Sequence, residues 1–275
     1  MVKSKTGRKN KVKFGTFGYE KQLEQIAAAG FDTAELDISE IVLMEKPEFS
    51  LLERRAERSG MSFDVFSGLL PLSVRIHAPD FDEAYWLHHI EVAAERARAL
   101  GATMIPFGAG KCRSIPEGCE DVPAAKRRVR DFVRKICDIF EKNGLLLVLE
   151  PLGPANSNYL NFIGEAVEFI PEVDRPNFHT MCDLRHMVKL NESFEDIVTY
   201  RSEILHAHID YPGGTLRKFP QAEDDYNYMP YFEALAAANY QRILTIEATS
   251  YENFAEESEK SLEYIKECWK NAKNK

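Results

Sequence analysis

The chain has 275 residues, with 35 Lys and Arg against 44 Asp and Glu, a formal net charge of −9 and 44% hydrophobic residues. Its apolar content is ordinary and neither Gly, Pro nor Cys is in excess, which excludes a disordered chain, a collagen, a coiled coil and a disulfide-rich miniprotein. The acidic balance disfavours nucleic acid as a partner, because proteins that bind DNA neutralise its phosphates with clustered Lys and Arg.

The beginning of the chain is the exception to this acidity. Residues 1–13 carry six cations and no acid. We expect residues 1–11 to form a flexible basic tail and residues 12–275 to form one domain. No run approaches the roughly 18 apolar residues that a membrane-spanning helix needs, so a membrane is not an expected partner. The 5 cysteines are scattered and form no CxxC pair, which indicates free thiols in a reducing compartment and predicts a cytoplasmic protein.

Short apolar or β-branched runs recur along the chain, and helix-length amphipathic stretches separate them. The predicted strands span residues 12–17, 33–38, 61–66, 103–107, 145–150, 177–183, 204–210 and 242–247. Three of the intervening helices are expected to end at a glycine just before the next strand, at Gly30, Gly60 and Gly144, because a left-handed C-terminal cap favours glycine.

Strict alternation of strand and helix predicts a parallel sheet, because parallel neighbours need a crossover connection that a helix supplies. Eight such units within residues 12–275 predict an α/β protein, a single-domain (β/α)8 TIM barrel. A doubly wound open sheet gives similar local signals. However, no GxGxxG follows the first predicted strand, which disfavours the dinucleotide-binding version of that sheet.

Polar side chains follow the apolar runs of the last four predicted strands. They are Glu150 on the fifth strand, Asp183 on the sixth, His206, His208 and Asp210 on the seventh, and Glu247 on the eighth. Barrel enzymes build their active sites at these strand ends, and a buried charge is costly unless a partner or a metal is present. The side-chain period of two places both histidines on one face, so either can be the nitrogen ligand. Three carboxylates and one imidazole favour Mn²⁺, Mg²⁺ or Co²⁺.

Four segments give the chain a family resemblance: LEPLGPANSNYLN (149–161), CDLRHM (182–187), LHAHIDYPG (205–213) and LTIEA (244–248). They resemble the xylose isomerase-like TIM barrel superfamily and, within it, the sugar phosphate isomerase/epimerase family. That group includes D-tagatose 3-epimerase, D-psicose 3-epimerase, hydroxypyruvate isomerase and inosose dehydratase. The resemblance runs through the chain in strand order and is strongest from the fifth predicted strand onward.

The resemblance implies a complete metal site. Glu150, Asp183, His208 and Glu247 would coordinate one divalent cation, with Mn²⁺ as the preferred ion and Mg²⁺ or Co²⁺ as the others expected. Glu150 and Glu247 would also be the acid/base pair that moves the substrate proton.

Two further residues follow from the same resemblance. His186 completes the D-x-x-H motif that begins at Asp183, and it would contact a substrate oxygen. Arg217, nine residues beyond His208, resembles the arginine that holds substrate hydroxyls near the metal.

The activity implied is that of a metal-dependent isomerase or epimerase of carbohydrate metabolism. Its substrate would be a ketose or a related polyol ketone, which reacts through a metal-stabilised enediolate. One departure concerns the substrate: ketohexose epimerases carry a glutamate six residues after the strand-five ligand, where this chain has Asn156.

A metal-dependent lyase of the same superfamily stays open as the alternative, either a C-glycoside deglycosidase subunit or an inosose dehydratase-like enzyme, because its chemistry begins with the same proton abstraction. The expected partner is a small-molecule carbohydrate. The assembly would be a homo-oligomer, or a heteromer with a second kind of subunit if the protein is a C-glycoside lyase. A nuclease with three metals is disfavoured, because only one complete ligand set is recognisable.

Overall fold

The computed structural model describes residues 11–275. The predicted basic tail, residues 1–11, lies outside the described residues except for Lys11. The structure contains eight strands, and each predicted strand is confirmed to within one residue at either end. They are β1 (Lys13–Gly18), β2 (Thr33–Asp37), β3 (Ser62–Ser67), β4 (Met104–Phe107), β5 (Leu146–Leu149), β6 (Phe178–Asp183), β7 (Ile204–Ile209) and β8 (Ile243–Ile246).

Helices lie between successive strands and after the last one. They are α1 (Leu23–Ala28), α2 (Lys46–Ser59), α3 (Glu83–Ala99), α4 (Gly110–Arg113), α5 (Val122–Lys142), α6 (Ile163–Val173), α7 (Leu184–Leu190), α8 (Glu195–Thr199), α9 (Met229–Ala237) and α10 (Phe254–Lys273). Two short 3-10 helices, Glu20–Gln22 and Ile41–Leu43, complete the set within the described residues.

The strands pair in chain order, all in parallel, and β1 pairs with β8 to close the barrel. The structure is therefore the predicted single-domain (β/α)8 TIM barrel and not an open sheet. Closure brings the C-terminal ends of all eight strands to one rim. This geometry allows strands five to eight to contribute side chains to a single site.

Local sequence signals explain the element boundaries. Asp82, Asp121 and Asn253 accept hydrogen bonds from the first turns of α3, α5 and α10, so the side chains of these N-caps satisfy backbone donors that a helix start leaves free. Gly60 caps α2 in the left-handed conformation, with φ of 66°, as the sequence predicted. Gly30 and Gly144 also have positive φ, at 79° and 65°.

The main apolar core combines strand and helix residues. Ile105 and Leu147 from the strands belong to the same buried cluster as Val129, Phe132 and Ile136 on α5. Strands that are apolar on consecutive positions, as in Leu147, Val148 and Leu149, are expected when both faces of a sheet are covered. No helix within residues 11–275 combines the length and hydrophobicity needed to span a membrane.

Candidate metal and substrate site

The carboxyl ends of the strands surround a cavity of about 520 Å³. Its polar part includes Glu150, His208, Arg217 and Glu247, and residues of the loop after β3, from Gly68 to Leu72, form much of an apolar wall. The cavity therefore lies where the sequence placed the site, and it is of a size typical for a small-molecule pocket.

The four predicted ligands converge beside this cavity. Nδ1 of His208 lies 3.2 Å from Oε2 of Glu247, 3.6 Å from Oε1 of Glu150 and 3.7 Å from Oδ2 of Asp183. The strand register explains the convergence, because Asp183 of β6 and Thr245 of β8 both pair with His208 of β7. One ligand atom from each of the four residues lies within 4.8 Å of the others.

Three of these converging atoms have no hydrogen-bond partner. Oε1 of Glu150, Oδ2 of Asp183 and Nδ1 of His208 are all buried and unpaired among the described residues. Leaving a buried polar atom unpaired costs about 1–3 kcal/mol, and more when the group is charged. A divalent cation between them would satisfy all three, and the donor set of carboxylates and one imidazole is chemically suited to such an ion.

The ligand residues compensate one another electrostatically. Burial alone would raise the pKa of Asp183, but His186, His208 and Arg217 hold that pKa well below its ordinary range. Burial would likewise lower the pKa of His208, yet the nearby carboxylates, Glu35 first among them, raise it well above the ordinary value. The cluster is thus a network of opposite charges in which each group depends on its neighbours.

The structure separates the two histidines that the sequence left as equal candidates. His208 faces the carboxylate cluster, whereas Nε2 of His206 lies 2.9 Å from Oε2 of Glu35 and both of these side chains are fully buried. Burial lowers the pKa of His206, which favours its neutral form. Asp210 is also outside the cluster of potential ligands, because its carboxylate pairs with Nε of Arg185 at 2.7 Å.

The helix after β6 places His186 at the edge of the cluster. The backbone N–H of His186 donates to Oδ1 of Asp183 at 2.9 Å, so this carboxylate caps α7 with one oxygen and faces the cluster with the other. Nδ1 of His186 accepts a hydrogen bond from the N–H of Gly153 at 3.2 Å. Nε2 of the same ring lies 3.8 Å from Oε1 of Glu150.

Arg217 also reaches the predicted position. Its guanidinium pairs with Glu247, and its Nη1 lies 3.7 Å from Oδ2 of Asp183. Nη2 lies 3.3 Å from Nε2 of His186. Burial would lower the pKa of Arg217, but Glu247, Asp183 and Asp210 raise it, so the guanidinium remains charged. The six residues that the family resemblance implied therefore lie close together, whereas His206 and Asp210 pair with Glu35 and Arg185.

The sequence did not single out Gly108, which directly follows β4. A Cβ at this position would overlap Oε2 of Glu150 and would lie 3.3 Å from its Cδ. Only a residue without a side chain leaves room for the Glu150 carboxylate in its present position. No local sequence signal reveals this requirement, because the two residues are far apart in the chain.

Arg113, on α4, is a second residue that the sequence did not reveal. Its guanidinium is fully buried and donates hydrogen bonds to the backbone carbonyls of Phe107, Glu150, Tyr159 and Leu160. Burial lowers the pKa of Arg113 to about 10. This single side chain therefore ties the end of β4 to the loop that begins at Glu150.

A third such residue is Glu35 on β2, fully buried beside both histidines of β7. A signal for it was present in the sequence, since an acidic residue interrupts the apolar pattern of TAELDI. An acid within a buried strand needs hydrogen-bond donors, and the sequence alone did not show where they come from.

The family is established by comparison with known proteins. Residues 23–268 match the family model for the xylose isomerase-like TIM barrel, and the chain belongs to this family. The resemblance read from the four segments is thereby confirmed. No curated protein matches the sequence.

Solved sugar epimerases share the fold at low sequence identity. A D-psicose 3-epimerase from Clostridium cellulolyticum H10 is 19% identical, with a TM-score of 0.80 over 94% of this chain and 99% of that chain. The 3-keto-D-glucoside 4-epimerase from E. coli is 21% identical, with a TM-score of 0.77 over 94% of this chain and 100% of that one. An L-ribulose 3-epimerase is 18% identical, with a TM-score of 0.80 over 96% of both chains.

Proposed function

We propose that this protein is a divalent-cation-dependent isomerase or epimerase of a ketose or a related polyol ketone. The observation that carries the proposal is the convergence of Glu150, Asp183 and Glu247 on Nδ1 of His208 at the edge of a cavity. Three of the converging atoms are buried without a partner within residues 11–275, as expected for ligands of a cation. The fold that the chain shares with several sugar epimerases supports the same assignment.

Mn²⁺ is the ion we propose first, and Mg²⁺ or Co²⁺ are compatible with the same donors. When bound, such a cation supplies Lewis-acid polarisation of the carbonyl and of the adjacent hydroxyl of a ketose, which lowers the cost of removing the neighbouring C–H proton. Glu150, Asp183, His208 and Glu247 would hold it.

Glu150 and Glu247 are the groups we assign to proton transfer. They directly follow β5 and β8, three strands apart in the barrel, and both line the cavity. We assign them to opposite faces of the bound sugar. One carboxylate takes the proton as the C–H bond breaks, and the electron pair passes into the enediolate. The other carboxyl group, in its protonated form, then gives its proton to the opposite face of the same carbon, becomes a carboxylate and completes an epimerisation. Return to the neighbouring carbon completes an isomerisation.

His186 and Arg217 are suited to orient the substrate. Nδ1 of His186 accepts the N–H of Gly153, which orients the ring so that Nε2 lies 3.8 Å from Oε1 of Glu150 and 3.3 Å from Nη2 of Arg217. We assign this Nε2, at the edge of the ligand cluster, to contact a substrate oxygen. Arg217 lines the cavity with a charged, multidentate donor, which suits it to hold substrate hydroxyls.

A metal-dependent lyase or dehydratase of the same family is the second candidate. Its chemistry begins with the same proton abstraction and then expels a leaving group. Asn156 lines the cavity at the position where the ketohexose epimerases carry a glutamate, and this departure favours a substrate other than a simple ketohexose. The cavity also has an apolar wall that includes Leu69 and Leu70, against which a group attached to the sugar can pack.

Proton exchange in D₂O tests the proposal directly. The Mn²⁺-loaded or Mg²⁺-loaded protein is incubated with a panel of ketoses and oxidised glycosides, and NMR follows deuterium at the carbon beside the carbonyl. Exchange into a recovered, epimeric or isomeric sugar supports the proposal. Loss of a leaving group from an oxidised glycoside would replace it with the lyase assignment, and no reaction on any member of the panel would refute it.

Substitutions that remove the charge of a glutamate and keep its shape test the two carboxylates. Glu150→Gln and Glu247→Gln are each expected to abolish exchange and to keep the unfolding transition of the parent protein. Glu252→Gln is the matched control, since Glu252 is exposed, lies in the loop after β8 and is absent from the cavity lining. Near-parental exchange in either site variant would remove that residue from proton transfer. Full activity after verified removal of the metal would remove the cation from the reaction.

The cellular compartment and the assembly of the protein are also proposals. The five cysteines are free and four of them are buried, which supports a reducing, cytoplasmic environment. We further propose that the chain assembles with copies of itself, or with a second kind of subunit if the lyase assignment holds. Size measurement by light scattering, alone and after co-purification, distinguishes these assemblies.

A further inference from the structure

Glu35 lies beneath the proposed cation site and is fully buried. Its carboxylate is the acceptor for three donors from two other strands. Nε2 of His206 lies 2.9 Å from Oε2, Nε2 of His208 lies 3.1 Å from the same oxygen, and the hydroxyl of Ser67 donates to Oε1. A buried carboxylate with three donors is well compensated, and Glu35 is therefore held firmly in place.

The two nitrogens of His208 face different surroundings. Nε2 lies 3.1–3.2 Å from the two oxygens of Glu35, whereas Nδ1 is unpaired and faces Glu150, Asp183 and Glu247. A carboxylate can only accept the proton of an imidazole. When the ring carries a single proton, Glu35 therefore retains that proton on Nε2 and leaves the lone pair on Nδ1 directed at the cluster.

We propose that Glu35 is a positioning residue, which fixes both the ring orientation and the tautomer of His208 for cation binding. The inference depends on the cation site described under Proposed function but on no particular sugar reaction. His206 and Ser67 complete the arrangement by holding the carboxylate of Glu35 from its other sides. Glu35 itself touches neither the cation nor the substrate.

A second cation is the competing explanation, because Glu35, His206 and His208 also form a group of potential metal ligands. The hydrogen bonds argue against it. A cation at this position would displace the protons that both Nε2 atoms and the Ser67 hydroxyl now direct at the carboxylate. It would also require His208 to ligate through both nitrogens at once. The positioning role therefore predicts one cation per chain, and the competing explanation predicts two.

Mn²⁺ binding to the full-length protein, without any sugar, is the first test. Titration calorimetry, together with the electron paramagnetic resonance signal of free Mn²⁺, gives the stoichiometry and the dissociation constant. We expect one Mn²⁺ per chain in the parent protein. In Glu35→Gln we expect the dissociation constant to rise about 10–100-fold, the usual effect of removing a group that orients a metal ligand. Thermal unfolding of the metal-free variant checks that it folds.

Asp32→Asn provides the matched control. It removes one negative charge from the residue just before the same strand, but the Asp32 carboxylate accepts from the backbone N–H of Phe14 and not from His208, and Asp32 is absent from the cavity lining. Its Mn²⁺ affinity should change by less than about threefold, since charges without direct contact are partly screened. Equal losses in Asp32→Asn and Glu35→Gln would mean that overall charge matters, and this would overturn the positioning role.

The tautomer of His208 provides a readout that does not depend on any variant. In the Mg²⁺-loaded parent protein, spectra of ¹⁵N-labelled histidine should show His208 protonated at Nε2. Protonation at Nδ1, a stoichiometry of two, or no Mn²⁺ binding would each overturn the proposal. If these binding results hold while no ketose undergoes exchange, the positioning role stands and the proposed reaction fails.

Discussion

Gly108→Ala is expected to displace the Glu150 carboxylate and to leave the stability of the fold almost unchanged. The added Cβ would overlap Oε2 of Glu150 and lie 3.3 Å from its Cδ. Unbonded heavy atoms prefer a separation of about 3.5 Å, so the carboxylate oxygen has to move by roughly 1–1.5 Å. The atoms that must move are at the far end of a flexible side chain. The protein can thus accommodate the methyl group at little cost to folding while the Glu150 carboxylate leaves its position.

A displacement of about 1 Å in a catalytic group can cost 10²-fold in rate. We therefore expect Gly108→Ala to lower the exchange rate by about 10²-fold and to weaken Mn²⁺ binding, because Glu150 is both a proposed ligand and a proposed acid/base. The unfolding free energy should change by less than about 1 kcal/mol, since replacing a glycine of permitted φ also restricts the unfolded chain.

Gly153→Ala is the matched control for this prediction. A Cβ at Gly153 meets its nearest atom, Nδ1 of His186, at 3.6 Å, which is an ordinary contact. The exchange rate and the Mn²⁺ affinity should remain close to parental in this variant. Parental exchange and Mn²⁺ binding in Gly108→Ala would refute the placement of Glu150. A large loss of unfolding free energy would show that the backbone, and not the side chain, yields.

Two further predictions concern stability, measured by chemical denaturation. Arg113→Met removes four hydrogen bonds to backbone carbonyls, although those of Phe107 and Tyr159 also accept from the N–H of Glu150 and the hydroxyl of Ser157. At about 1 kcal/mol for each bond, the unfolding free energy should fall by about 2–4 kcal/mol. A loss below about 1 kcal/mol would contradict the proposed tie between β4 and the loop after β5. Burial raises the pKa of Glu192 to about 7. Because an unfolded glutamate ionises near pH 4.3, the unfolded chain loses this proton first, and stability should fall between about pH 4.3 and pH 7. Glu192→Gln should remove that part of the fall, and an unchanged pH profile in this variant would count against the raised pKa.

Local patterns in the sequence were sufficient for the eight strands and for their alternation with helices, and they indicated the acids at the strand ends. The alternation of apolar runs with amphipathic stretches predicted each strand to within one residue, because hydrophobic periodicity and glycine caps are local properties. The acids that follow strands five, six and eight stood out for the same reason. Once the barrel is closed, their common rim brings them together without further information.

The choice between His206 and His208 could not be made from the pattern of residues, since both lie on the same face of β7. The structure distinguishes the two histidines by their level along the barrel strands. His208 is level with Asp183 and Thr245 in the strand register, whereas His206 is level with Ile243 and donates to Glu35. The family resemblance had indicated His208, and the geometry agrees for a reason that the sequence does not contain.

The sequence by itself determined the order of the elements, the barrel class and the residue types at the strand ends. The tertiary structure alone decided which of these atoms face one another. The roles of Gly108, Arg113 and Glu35 depend on contacts between distant positions. Gly108 meets Glu150 at 42 positions along the chain, Arg113 meets Glu150 at 37 and Glu35 meets His206 at 171. Such contacts leave no periodic trace along the chain, because barrel closure and strand register create them only when the whole domain has folded.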